Sequence, residues 1–123
     1  MTQPSKLRIE ERHVDDITVL TLHGEIVADD GDIAFGRRVD ELIKKGQLNI
    51  VVNLAGVSYI DSAGVGMIVA ESKMVYERGG VMKLAHLTAR SHHLLAMLKL
   101  RLVLEIFDDE AAALHSFTWG PRR

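Results

Sequence analysis

An apolar run, Ile50-Val51-Val52-Asn53-Leu54, is followed a few residues later by an apolar repeat with helical spacing from Val65 onward. A run of this kind is the pattern of a strand buried on both faces, and such strands belong to sheets with helices packed on them. Between strand and helix lies Asp61-Ser62-Ala63-Gly64-Val65-Gly66. Ser62 falls where the helix begins, and Ser is a preferred N-cap residue. A hydroxyl there lies beside the free N–H groups of the first helical turn, which favour negative charge. Ser62 is therefore read first as a helix cap and second as a site for a covalently attached phosphate.

The rest of the chain supplies partners for that strand. Leu7 to His13 alternates in polarity, Val14-Asp15-Asp16 forms a turn, and Ile17 to Leu22 alternates again. This predicts an antiparallel hairpin. Gly24 to Gly31 reads as an acidic loop. Asp32 is placed to cap a helix over Ile33 to Lys45, stopped by Gly46. The central strand is expected over Leu48 to Leu54, with Gly56 to Ile60 leading to Ser62. A second helix follows over Ala63 to Arg78, with Gly79 as its stop. Val65, Ile68, Val69, Val75 and Tyr76 share the side assigned to the core. Ala63, Met67, Ala70 and Met74 cluster near the opposite side, where a surface helix is normally polar. Either that helix is broadly buried, or the stripe is a docking face that uses the adaptability of methionine.

Val81 to Leu87 reads as a third apolar strand. Thr88 or Ser91 is placed to cap a helix through Leu98, with Leu94, Leu95 and Leu98 inward. Val103 to Phe107 is a last short strand. Asp108 is expected to cap a final helix with Asp109 and Glu110 in its first turn and Ala111 to Phe117 as its body. The order is ββαβαβαβα, a single α/β domain over residues 7–117. Residues 1–6 are expected to be a disordered end and residues 118–123 a tail. Successive strand-helix-strand units imply a mixed, mostly parallel sheet.

Composition narrows the function. The chain has 123 residues, a net charge of -2 and no cysteine. The charge gives no pull toward nucleic acid or an anionic membrane. Without cysteine there is no disulfide, thiolate catalysis or zinc-thiolate site. No run approaches the roughly 18 apolar residues of a membrane span, and the first residues lack the apolar core of a signal peptide. A cytoplasmic protein is expected.

The site segment matches none of the common catalytic or nucleotide-binding motifs. A nucleophile elbow needs glycine two residues before the serine, and here that residue is Ile60. Gly64-Val65-Gly66 lacks the third glycine of a dinucleotide fingerprint and the lysine of a P-loop. His92 and His93 point about 100° apart on a helix, and His13, His23, His86 and His115 lack site-type spacing. Asp29-Asp30-Gly31-Asp32 lacks the alternating ligands and closing Glu of a calcium loop. Neither metal nor cofactor is expected.

Tyr59-Ile60-Asp61-Ser62-Ala63-Gly64-Val65-Gly66 resembles the Asp-Ser-x-Gly-x-Gly signature of STAS domains, and specifically of bacterial anti-sigma factor antagonists. Leu22-His23-Gly24-Glu25-Ile26 before the first helix and Gly79-Gly80 after the second fit the same order, so the resemblance covers roughly residues 7 to 117. It implies a non-enzymatic binding protein in partner-switching control of transcription, of the kind used in stress responses. The serine at the position of Ser62 is the phosphoacceptor of a kinase-type anti-sigma factor that uses ATP, and a serine phosphatase reverses the modification. The unphosphorylated form binds the anti-sigma factor and the phosphorylated form releases it. Carried over, Asp61 is the acidic neighbour and Gly64 and Gly66 permit close docking. Ala63, Met67, Ala70 and Met74 would be the adjoining partner-binding face. Phosphate adds a charge of about -1.5 to -2 and three acceptor oxygens, which a partner shaped around a bare hydroxyl cannot accommodate. Ala63 stands where the family often has a second Ser, so one hydroxyl remains. Val27 replaces a frequent family Asp, and Lys99-Leu100-Arg101-Leu102 replaces a glycine-containing turn. That replacement reads either as a local irregularity or as an exposed leucine patch for a weak homodimer. The alternative reading is a structural STAS subunit of a sensory assembly or of a membrane transport complex.

Overall fold

The computed structural model describes residues 5–87 and 104–117. The elements in order are β1 (Leu7–Val14), β2 (Ile17–Ile26), α1 (Gly31–Lys44), β3 (Asn49–Ile60), α2 (Ser62–Glu77), β4 (Val81–Ala85), β5 (Glu105–Phe107) and α3 (Glu110–Phe117). The five strands form one sheet in the order β1-β2-β3-β4-β5. Only the β1/β2 pair is antiparallel, joined by the two-residue turn Asp15-Asp16 with Asp15 at a φ of 55°. The remaining pairs are parallel. The expected α/β domain with a mixed, mostly parallel sheet is what forms. The expected helix from Thr88 or Ser91 to Leu98 lies outside the described residues, as do His92, His93, Lys99 to Leu102, Val103 and Trp119.

Alternation along the central strands divides the core in two. Ile50, Val52 and Leu54 face α1 and α2, where they join Phe35, Val39, Leu42, Val65, Ile68 and Val75. Val51, between them in sequence, faces the other way and packs with Val19, Ala85, Ala113 and Phe117 beneath α3. Both faces are covered, which is why the run in β3 has no polar alternation at its centre.

Two strands run further than their sequence pattern predicts. β2 does not stop at Leu22 but continues to Ile26, so the acidic loop is shorter than Gly24 to Gly31. Gly24 makes this feasible: its φ of +110° accompanies a register shift against β3, and the carbonyl of Lys6 fills the space a Cβ would need. β3 likewise continues past Leu54 to Ile60. Gly56, which reads as a break, lies where a Cβ would strike His23 Nδ1 at 2.5 Å and the Leu22 carbonyl at 2.8 Å. Close strand approach explains that glycine better than a turn.

Three helix starts also differ from expectation. α1 begins at Gly31 behind Asp30, not behind Asp32. Asp32 lies in the first turn and accepts the N–H groups of Asp30 at 3.2 Å and Ile33 at 2.7 Å. The carboxylate of Asp30 accepts the backbone N–H of Lys6 at 2.9 Å. Lys6 and Ser5 are thereby tied into the fold, since Glu25 donates to the Lys6 carbonyl and Leu7 to the Ser5 hydroxyl. α3 is capped by Asp109, not Asp108: Asp109 Oδ1 accepts Ala112 N–H at 2.8 Å. The third displaced start is at the candidate site.

Candidate functional site

The residue that caps α2 is Asp61, not Ser62. Asp61 has an extended backbone, and its Oδ1 accepts the N–H of Gly64 at 2.8 Å. Ser and Asp are comparable caps by preference. An ionised carboxylate forms the stronger bond, and here it has a second use. Asp61 Oδ2 accepts the N–H of Ala28 at 3.0 Å, across from the β2–α1 connection. The Asp61 N–H in turn donates to the Ile26 carbonyl at 3.3 Å. One side chain thus pins the end of β2 to the start of α2. The N–H of Ala28, then that of Gly64, hold its carboxyl below the usual carboxylate range.

With capping assigned to Asp61, the Ser62 hydroxyl is released from it. Ser62 is the first residue of α2 and is exposed. It lies in the turn whose N–H groups are short of partners, so a phosphate ester there meets a favourable helix end. The same turn explains one glycine of the signature. Gly64 is buried, and a Cβ on it would collide with the Ile26 carbonyl and come within 2.9 Å of Ile60 Cγ2. Its bareness serves a contact inside the chain, not an approaching partner. Gly66 is exposed with nothing within 4 Å of a Cβ, so open access belongs to Gly66 alone.

The apolar stripe divides as well. Ala70 and Met74 are exposed, Met74 by 41%. Ala63 and Met67 are half-buried. Met67 leans on α1, where a Cβ at Gly36 would lie 2.8 Å from its sulfur. Tyr76, assigned to the core side, is instead 74% exposed. It is in the last turn of α2 beside the fully buried Val75, rotated about 100° from it toward solvent. The buried position on that side is taken by Glu71, a residue the apolar pattern passed over. Its spacing was a legible signal: Glu71 lies three residues after Ile68 and four before Val75, both buried.

Among the described residues there is no group of three or more metal-ligating side chains, and no helix is long and apolar enough to cross a membrane. His86 accepts the N–H of Glu110 at 3.0 Å and thus contributes to the start of α3. His23 and His13 meet surface glutamates, Glu10 and Glu11.

A family model for the STAS domain matches residues 8–113. The chain belongs to the STAS domain family. An anti-sigma F factor antagonist of Paenibacillus polymyxa is 31% identical over 109 residues, covering 88% of this chain and 92% of that protein. Among solved structures, this STAS chain is similar to a Thermotoga maritima protein assigned as an anti-sigma factor antagonist. The TM-score is 0.83 at 25% identity, over 90% of this chain and 95% of that one. The phosphorylated form of the Bacillus cell-fate determinant SpoIIAA shares the fold, with a TM-score of 0.70 at 18% identity, over 89% of this chain and 99% of that one. The stretch Asp61 to Gly66 lies within the matched residues at the β3–α2 junction, where Asp61 holds the backbone and Ser62 is exposed.

Proposed function

We propose that this STAS domain is an anti-sigma factor antagonist in which Ser62 is the phosphoacceptor. The observation that carries the reading is the division of labour at the α2 N-terminus. Asp61 commits both carboxylate oxygens to backbone N–H groups, and the neighbouring Ser62 hydroxyl is exposed. The likeness to the Paenibacillus antagonist supports the role. In its unphosphorylated form the domain binds a kinase-type anti-sigma factor through Ser62, Ala63, Gly66, Ala70 and Met74, with Met67 at the inner border. Asp61 and Gly64 act on that surface indirectly, by fixing the backbone. The kinase transfers the γ-phosphoryl group of ATP to Ser62 Oγ, with loss of the hydroxyl proton and release of ADP. Asp61 is already bonded twice, so the base that takes this proton comes from the kinase. The dianionic ester then excludes the partner by charge and size, and a serine phosphatase restores the hydroxyl.

The test is incubation of the full chain with ATP and each kinase-type anti-sigma factor of the source genome, read by intact mass and site mapping beside Ser62→Ala. The expected result is one added phosphate at Ser62, none on the Ala variant, and at least a hundredfold weaker binding after modification. Binding without modification by any such factor would leave a constitutive antagonist. Neither binding nor modification would overturn the proposal.

A further inference from the structure

α1 and α2 pack directly on each other, and their contact contains two acids. Gly36 and Asp40 are one turn apart on α1; Met67 and Glu71 are one turn apart on α2. The absence of a side chain on Gly36 brings the helices together. A Cβ there would be 2.8 Å from the Met67 sulfur and 3.4 Å from Glu71 Oε2. Glu71 is 6% exposed. Asp40 Oδ1 and Glu71 Oε1 are both shut away from solvent with no hydrogen-bond partner.

Orphaned acceptor oxygens on two facing carboxylates are costly, because each is desolvated without a donor and the like charges repel. A single proton changes both terms: the protonated acid becomes a donor, and one charge disappears. Among the described residues neither of these oxygens has a donor. The neighbours of Glu71 one turn away on α2 are Met67, Ile68, Met74 and Val75. Around Asp40 on α1 they are Gly36, Arg37, Ile43 and Lys44, and the two cations are exposed. The sole titratable side chain of β4, Lys83, bonds to Ser116 under the opposite face, and Tyr59 of β3 is exposed.

We propose that Asp40 and Glu71 hold one shared proton between α1 and α2 and form a pH-sensitive clasp. Burial, reinforced by the hydrogen bond that protonated Glu71 makes to Asp40 and by the charge of Asp40, pushes Glu71 from 4.5 up to about 7. A raised carboxyl pKa means that the native chain binds more protons than the unfolded chain. The clasp therefore contributes fully below about pH 4.5 and is lost as pH rises through about 7. Above that point α1 and α2 separate slightly at the Gly36–Met67 contact. The clasp is independent of Ser62 and of any partner.

Carbon-detected NMR titration of side-chain carboxyls in the full chain tests the shared proton directly, and thermal unfolding from pH 5.5 to 8.5 tests the clasp. Glu71 should titrate near pH 7 in the parent and lower in Asp40→Asn. The parent Tm should fall by roughly 3 to 8 °C across that range. Glu71→Gln, which keeps an N–H donor toward Asp40, should lose most of that fall, whatever the histidines contribute. Its amide exchange along α1 and α2 at pH 8, corrected for intrinsic rates, should be several-fold slower than the parent's. A Glu71 midpoint below pH 5, or a Glu71→Gln profile parallel to the parent's, would overturn the proposal. The NMR titration needs no variant, so a poorly folding substitution does not blunt the test.

Discussion

The two faces of the sheet are held by different physics. Under α1 and α2 the contacts are aliphatic and aromatic, with Phe35, Leu54 and Ile68 almost wholly buried, and polar groups intrude mainly at Asp40 and Glu71. Under α3 the apolar cluster is small and charge does more of the holding. Lys83 is buried, donates to Ser116 Oγ at 2.6 Å, lies 4.3 Å above the Phe117 ring and meets Glu105 at 3.4 Å. At the other end of α3, Glu110 takes hydrogen bonds from Arg12 and from Asn53. The candidate site is anchored to the apolar face, through the Gly64 contact with Ile26. The aliphatic packing around Ile26 and Ile60 fixes the backbone that carries Ser62. The ion pairs of α3 lie on the opposite face of the sheet from that anchor.

That contrast can be broken most severely at Gly64. Gly64→Ala drives a methyl into the Ile26 carbonyl, and we expect a loss of about 2 to 3 kcal/mol in urea denaturation. If the loss is under 0.5 kcal/mol (about the scatter of a surface substitution), the junction is not rigidly packed and the apolar foundation is misassigned. On the other face, Lys83→Ala should cost about 2 kcal/mol by the same measurement, since it removes a buried donor and leaves Ser116 short of a partner. Lys83→Met keeps the packing without the charge. Should Lys83→Met match the parent, packing alone secures α3 and the contrast between faces weakens.

A smaller effect separates the faces by pH. Burial raises Glu110, but the hydrogen bonds from Arg12 and Asn53 and the charge of Arg12 outweigh it and leave the group below 4.5. A lowered pKa means that the folded chain holds fewer protons. Stability from Glu110 is present above about pH 4.5 and is lost as pH falls through the lower folded value. Arg12→Ala should therefore cost about 0.5 to 1 kcal/mol at pH 7 and progressively less as the pH falls below the folded value of Glu110, read from unfolding midpoints. The α3 face weakens in acid, whereas the Asp40–Glu71 contact weakens toward alkaline pH. A change similar in size to that of Arg12→Ala and opposite in sign belongs to Gly66→Ala. With open space around it, this substitution should stabilise α2 by about 0.5 to 1 kcal/mol while weakening partner binding measurably by calorimetry. Unchanged binding would remove Gly66 from the docking surface.

Much of this architecture is legible in the residues. The hydrophobic alternation and the loop spacing locate every described element, with only β2 and β3 ending well short of their true extent, because burial on both faces leaves a strong pattern. What escapes the pattern depends on contacts between segments distant in sequence. Gly56 and Gly24 look like breaks, yet they lie inside strands where neighbouring chain segments press close. Whether Asp61 or Ser62 caps α2 cannot be read from two good capping residues in a row. The answer depends on Ala28, 33 residues away, whose N–H needs an acceptor. The stripe Ala63, Met67, Ala70, Met74 is real as a spacing, but only Gly36 on the neighbouring helix reveals that Met67 is tucked against α1. Glu71 is missed for a plainer reason: a search for apolar faces passes over an acid, even one at the core spacing set by Ile68 and Val75.

The strands succeed one another across the sheet without ever doubling back. In open α/β sheets, small ligands gather in the crevice at the topological switch point, where neighbouring crossovers diverge to opposite sides. Here α1 and α2 descend on the same side, packed against each other. The carboxyl ends of the central strands therefore form a continuous rim, with Ser62 standing on it. On the proposed reading, that rim presents Ser62 to the surface of another protein.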